Sequence, residues 1–191
     1  MNESIIRKAV EALKNGELVI TPTESVYGLV ADPSRPEAIE KIFQTKKRPH
    51  SQALSIHIAD PEEVTQWAEN IDSEAKKLIE QYWPGPLTII LPKASHVPDS
   101  ITGGQNTVGL RCPDHPIAQA LIRGVGHGLI MTSANISGEP SPTTAEEARA
   151  QLGEQVKIIL DDGPCKHGIA STIIDATVQP MKIIRQGTVD L

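Results

Sequence analysis

Leu18-Val19-Ile20-Thr21-Pro22-Thr23-Glu24-Ser25-Val26-Tyr27-Gly28-Leu29-Val30-Ala31 is the stretch that decides the fold. Leu18–Thr21 and Tyr27–Ala31 read as two short strands, rich in the aliphatic and aromatic side chains that suit a pleated, half-buried surface. Pro22 ends the first, because it has no N–H to give to a ladder. A parallel pairing needs a crossover of about a dozen residues or more, and residues 22–26 are too few, so the pair is expected to be antiparallel.

On the N-terminal side, Ile5, Ile6, Ala9, Val10 and Leu13 recur at helical spacing. They predict an amphipathic helix over 1–16, with Ser4 as its cap and Gly16 as its C-terminal glycine. On the other side, Ser34-Arg35-Pro36-Glu37 has the spacing of a capping box, and Ala38, Ile39, Ile42 and Phe43 follow at helical period. Pro49 is expected to stop that helix. Further strands are expected at Leu54–Ala59, Leu87–Leu91, Val108–Cys112, Leu129–Thr132, Val156–Leu160, Thr172–Ile174 and Met181–Ile184. Helices are expected to start at Asp60-Pro61, Asp72, Pro116 and Thr144. Interleaved helices and strands mean an α/β class, and the short links at 22–26 and between Ile173 and Ile183 mean a mixed parallel and antiparallel sheet with flanking helices.

The chain has 191 residues, no linker and no repeat, which predicts a single domain over 1–191. With 39% hydrophobic and 22% charged residues it is a soluble globular chain. No apolar run approaches a membrane span, and residues 1–16 do not read as a signal peptide. A net charge of −6 argues against general affinity for nucleic acid, leaving only weak RNA contact through a local basic groove. Aromatic content of 3% leaves little for base stacking. Cys112 and Cys165 lack metal-ligand spacing and read as free thiols in a reducing, cytoplasmic setting.

Two constellations carry chemistry. Lys46-Lys47-Arg48-Pro49 reads as exposed positive charge on a loop, which either clamps phosphate or complements the negative end of a helix dipole. Ser133-Ala134-Asn135-Ile136-Ser137-Gly138 follows an apolar strand and offers small donors and acceptors, or an ordinary turn. Pro22-Thr23-Glu24-Ser25 brings hydroxyls to a turn that either reads an amino acid or staples its own loop. His57 sits within a strand, Arg111 between apolar residues, and Arg185 after a strand near the C-terminus. There is no P-loop, dinucleotide glycine motif or metal-ligand cluster, so any nucleotide is held by another scheme.

Six segments in order then resemble the YrdC-like family of L-threonylcarbamoyladenylate synthases. They are Pro22–Leu29, Lys46–Pro49, Trp83–Thr88, Val108–Pro116, Thr132–Gly138 and Ser171–Asp175. The resemblance covers nearly the whole chain. It implies a YrdC-like α/β fold, a twisted mixed sheet around a large central cavity. It implies a nucleotidyltransferase that makes threonylcarbamoyl-AMP and pyrophosphate from L-threonine, bicarbonate or CO2, and ATP. Mg2+ would be carried mainly by the nucleotide, with no metal held by the protein. A downstream tRNA threonylcarbamoyl-transferase machinery would pass the group to adenosine 37 of tRNAs reading codons that begin with A. By motif position the resemblance makes Lys46, Arg48, Ser133 and Asn135 catalytic. It sets Ser25, His57, Arg111, Ser133 and Ser171 around threonine, with Arg111 pairing bidentately with the carboxylate. It sets Arg48, Gln52, Thr107, Asn135, Thr143 and Arg185 around ATP. Ser25 stands where the family often has Thr, and Gln52-Ala53-Leu54 where it often has Asn-Pro-Leu. The alternatives are an RNA-binding or ribosome-maturation factor and a non-catalytic nucleotide-binding paralogue. Pyrophosphate release that needs both threonine and bicarbonate, without RNA, discriminates them.

Overall fold

The computed structural model describes residues 3–191. Nine strands form one sheet: β1 (Val19–Thr21), β2 (Gly28–Ala31), β3 (Ser55–His57), β4 (Leu87–Pro92), β5 (Thr107–Arg111), β6 (Leu129–Ser133), β7 (Ile158–Ile159), β8 (Thr172–Asp175) and β9 (Lys182–Arg185). Their order is β7-β1-β2-β6-β3-β5-β4-β8-β9. β1 and β2 pair antiparallel, with Thr21 opposite Gly28, as the short 22–26 link requires. β1–β7, β3–β5 and β4–β8 are parallel, so the sheet is mixed.

Six helices flank it: α1 (Glu3–Lys14), α2 (Pro36–Lys46), α3 (Ser73–Tyr82), α4 (Asp99–Thr102), α5 (Pro116–Val125) and α6 (Ala145–Leu152). Side chains alternate across the pleat, so each strand serves two faces. One face meets α2, α3 and α6 through Leu29, Ile56, Leu110, Ile89 and Ile130, packed with Ile42, Phe43, Ile79, Ala148 and Leu152. The other face meets α1 and α5, where Val19, Val30, Leu129 and Met131 pack on Leu13, Val10, Leu121 and Ile122. α1 and α5 approach closely because Gly124 has no side chain; a Cβ there would stand 2.6 Å from Val10 Cγ2. The anchor residues of these two helices lie over β1, β2 and β6. The rest of that face, toward β3, β5, β4 and β8, is where the site lies.

Several sequence expectations change at the helix ends. α1 already contains Glu3 and Ser4, so Ser4 is not its cap, and residues 1 and 2 of the expected 1–16 helix lie outside the described residues. Arg35, not Ser34, is the N-cap of α2, and it makes no side-chain cap bond. Ser34 N–H instead donates to Asp32 Oδ1, so the supposed capping box is a turn closed by Asp32. α2 ends before Pro49 acts. Lys47 is left-handed (φ 51°), its N–H returns to Gln44 O, and Arg48 N–H returns to Phe43 O. Pro61–Gln66 is a 3₁₀ turn, not an α-helix. Asp72 and Thr144 do cap α3 and α6, accepting from Ala75 N and Glu147 N.

Candidate functional site

The site follows from period-two alternation on the central strands. In β3, Ser55 and His57 face one way while Ile56 goes to the core. In β5, Thr107, Gly109 and Arg111 alternate with Val108 and Leu110. In β4, Thr88 and Ile90 alternate with Ile89 and Leu91. The register sets Ser55 opposite both Gly109 and Met131, and His57 opposite Arg111. Gly109 contributes floor without a side chain. Thr132 and Ser133 at the end of β6, Thr23 and Val26 from the 22–26 turn, Arg48, Ser171 and Arg185 close the walls. The result is a pocket of about 240 Å³ whose lining holds three arginines and no carboxylate among the described residues. In a chain of net charge −6 this is a local positive hollow.

Arg111 is 4% exposed. Its Nη2 donates to Glu24 Oε1 at 2.6 Å and Ser25 Oγ at 2.7 Å, and its Nε donates to Gly85 O at 3.1 Å. The side-on Nε/Nη2 fork is therefore occupied by the protein, which leaves Nη1 as the part of Arg111 with no hydrogen-bond partner among the described residues. Arg185 sends Nε and Nη2 to Ser171 O at 3.0 and 2.8 Å, and Ser171 Oγ meets Thr88 Oγ1 at 2.9 Å. Arg48 holds the chain around residues 52–53 by donating to Gln52 O and Ala53 O. Burial lowers the pKa of both Arg48 and Arg185. His57 is 5% exposed, and burial, then the Arg111 charge, hold its pKa well below the usual imidazole value. It is neutral at pH 7. Ser55 Oγ, which donates to Met131 O at 2.9 Å, lies 3.4 Å from His57 Nε2, while His57 Nδ1 is buried without a hydrogen-bond partner among the described residues.

Seven of the sequence-expected residues line the pocket: Arg48, His57, Thr107, Arg111, Ser133, Ser171 and Arg185. Five do not. Lys46 is no exposed loop cation. It is the last residue of α2, 1% exposed, and its Nζ donates to Ser133 O at 2.5 Å, Asn135 O at 2.6 Å and Asn135 Oδ1 at 3.3 Å. Burial, then Arg48, push its pKa down to about 7, while the oxygens around Nζ favour the ammonium. Asn135 lies beside it behind the wall; its Nδ2 donates to Ile136 O and Glu139 O, which fixes the 135–139 turn. Ser25 is fully buried and meets the pocket through two lining residues: its Oγ accepts from Arg111 Nη2, and its N–H donates to Thr23 Oγ1. Gln52 is exposed outside the lining. The Thr143 N–H and hydroxyl are both spent on Glu147 Oε2. Sequence reasoning missed Ser55, Thr88 and Thr132, which line the pocket, and Glu24, which holds Arg111. The alternation Ser55-Ile56-His57 and Thr88-Ile89-Ile90 was the available signal for two of them.

These features define an α/β protein with a cationic small-molecule pocket on the open part of a sheet face. Residues 11–187 match the Sua5/YciO/YrdC domain, described as telomere recombination. A threonylcarbamoyl-AMP synthase of Pyrococcus abyssi is 42% identical over 97% of this chain and 55% of its own length. One of Vibrio vulnificus is 35% identical over 96% of this chain and 99% of its own. The crystal structure of P. abyssi Sua5 complexed with L-threonine superposes with a TM-score of 0.95 over 98% of this chain and 55% of that one. The chain belongs to the Sua5/YciO/YrdC family. It spans about half the length of the first curated relatives it matches.

Proposed function

We propose that this chain is an L-threonylcarbamoyladenylate synthase acting as one domain over residues 1–191. The observation that carries the reading is the pocket itself: three arginines, a neutral histidine and a ring of hydroxyls on one sheet face. Family membership and relatives named threonylcarbamoyl-AMP synthase support it. L-threonine loses a proton from its ammonium to solvent, and the free amine adds to CO2 and releases a second proton to solvent to give a carbamate. A carbamate oxygen attacks the α-phosphorus of ATP, the bond to the β-phosphate oxygen breaks, and pyrophosphate leaves. With bicarbonate as the carbon source, one water is released. No protein nucleophile is consumed, so the protein's work is positioning and charge stabilisation.

In this reading Arg111 Nη1 takes the threonine carboxylate, with His57, Ser133 and Ser171 around the rest of the amino acid. Arg48, Arg185 and Thr107 serve the triphosphate, where negative charge builds as pyrophosphate departs. Lys46 acts by holding Ser133 in place, and Asn135 by accepting from Lys46 and fixing the 135–139 turn behind it. Among the described residues no group of three or more His, Cys, Asp or Glu is placed to hold a metal ion, and the carboxylate beside the pocket, Glu24, is committed to Arg111. The residues present do not fit a protein-held Mg2+; Mg2+ arrives on the nucleotide.

The product serves a downstream tRNA threonylcarbamoyl-transferase machinery that modifies adenosine 37, in the cytoplasm. Among the described residues no helix is long and apolar enough to cross a membrane. The test is pyrophosphate release by the purified chain, with threonylcarbamoyl-AMP identified by mass. Release should need L-threonine, bicarbonate and ATP together, and no RNA. Release that ignores threonine, or ATP binding with no release, overturns the reading.

A further inference from the structure

We propose that Glu24 is a positioning residue that, with Ser25, orients Arg111 so that only Nη1 is offered to an amino-acid carboxylate. This rests on the synthase reading of the pocket. A guanidinium has five N–H donors in a rigid plane. Both hydrogens of Arg111 Nη2 are spent, one on Glu24 Oε1 at 2.6 Å and one on Ser25 Oγ at 2.7 Å. The Nε hydrogen is spent on Gly85 O. None of these three acceptors belongs to residues lining the pocket, whereas Arg111 does line it. The two hydrogens on Nη1 make no hydrogen bond among the described residues, so they are the donors left for a ligand.

Glu24 is suited to this by its dryness. It is 3% exposed, and its second oxygen, Oε2, is buried with no hydrogen-bond partner among the described residues. The 161–168 loop covers it from behind. His167 N–H donates to Glu24 O, Cys165 N–H to Thr143 O, and Tyr27 Oη to Gly163 O at 2.8 Å. Away from water the Glu24–Arg111 attraction is strong and directional. Without the carboxylate, a buried cation would turn its fork toward the nearest anion, the substrate, and the grip through Nη1 alone would be lost. Glu24 therefore governs how threonine is gripped, without touching it.

The experiment is steady-state pyrophosphate release by Glu24→Ala, Glu24→Gln and Ser25→Ala, with calorimetric titration of L-threonine alone. Glu24→Ala should raise the threonine KM by about tenfold or more, as expected for losing one charge-assisted contact, and leave the ATP KM within about twofold. Glu24→Gln keeps an acceptor oxygen and the shape, so it should recover the threonine KM to within about threefold of wild type. A merely structural role would lower the active fraction, and hence kcat, without separating the two KM values. A Glu24→Ala threonine KM within about twofold of wild type, or both KM values rising together, overturns the proposal. If Glu24→Ala does not fold, Ser25→Ala decides: a threonine KM and titration unchanged from wild type overturn it, and a rise confined to threonine upholds it. Absence of threonine-dependent release in the wild type would instead refute the synthase reading.

Discussion

Replacing Lys46 by methionine separates a strut from a catalytic cation. Methionine keeps an unbranched apolar stem in the same buried space, so little packing is lost. It removes the Nζ donor that holds Ser133 O and Asn135 O at 2.5 and 2.6 Å. One buried and one half-buried carbonyl then lose a partner, at about 1–3 kcal/mol each, or about 2–6 kcal/mol together. For a chain of this length about 1 kcal/mol moves the Tm by roughly 2–4 °C, so the expected drop is about 4–24 °C. An exposed cation would behave differently: surface substitutions stay within about 0.5 kcal/mol, a shift of roughly 2 °C at most. Thermal unfolding followed by far-UV circular dichroism reads the difference. The pH dependence adds a sign. The native Lys46 pKa is near 7, below its unfolded value, so the unfolded chain binds more protons between those values. Stability from this group is complete above the unfolded pKa and is lost as pH falls toward 7. The wild type should therefore gain stability relative to Lys46→Met as pH rises from about 7 to 8.5. A mutant Tm within about 2 °C of wild type, with activity gone, would refute the strut and return Lys46 to the substrate.

The other predictions follow the same logic of who touches the pocket. Arg48→Ala should cut kcat/KM for ATP by about ten- to a hundredfold, the worth of one charge-assisted hydrogen bond, with the threonine KM held; equal loss on both substrates would count against its phosphate role. Ser133→Ala should raise the threonine KM with an unchanged Tm, whereas Asn135→Ala should lower the Tm and activity together, because Asn135 holds Ile136 O and Glu139 O rather than lining the wall; identical profiles would refute the division. Burial raises the Cys112 thiol to about 12 and the Cys165 thiol to about 11, so their contribution to stability is full below the ordinary thiol pKa and is lost as pH climbs through the native values. The fall in Tm between about pH 9 and 11 should flatten in Cys112→Ala/Cys165→Ala, and an unaltered slope would assign alkaline loss elsewhere.

Strands and their pairing were legible because alternation and link length are local. Leu18–Thr21 and Tyr27–Ala31 announce an antiparallel pair, and the structure has it at Thr21–Gly28. Helix ends were less so. Ser34 has the right type and spacing for a cap, but the Asp32 carboxylate bids for its N–H first, and that competition depends on a turn the spacing does not encode. Lys46 misled for a physical reason. A run of Lys-Lys-Arg reads as solvated charge because buried lysine is costly. The cost is met here by main-chain oxygens of Ser133 and Asn135, which lie far along the sequence and carry no side-chain signature in it. Glu24 was hidden the same way: it lies in the 22–26 turn, and its partner, Arg111, is distant in the chain at the end of β5.

These residues share one arrangement, and it explains why the site and the core come from the same strands. A sheet must bury both faces or leave one wet. Here the anchor residues of α1 and α5 pack over β1, β2 and β6, so β3, β4 and β5 keep an open stretch in which every second residue lines the pocket. The intervening Ile56, Ile89, Val108 and Leu110 lock those strands to the core, so a polar residue on the open face inherits the rigidity of an apolar neighbour on the other. Charge placed on so rigid a floor must be held by something equally fixed. Arg111 is held by Glu24, Ser25 and Gly85, and Arg185 by Ser171. The backbone of Ser133 is held by Lys46. The residues that hold are mostly behind the wall, and the residues held are on it. Mutations behind the wall should therefore change stability and substrate grip together, whereas mutations on it should change grip alone.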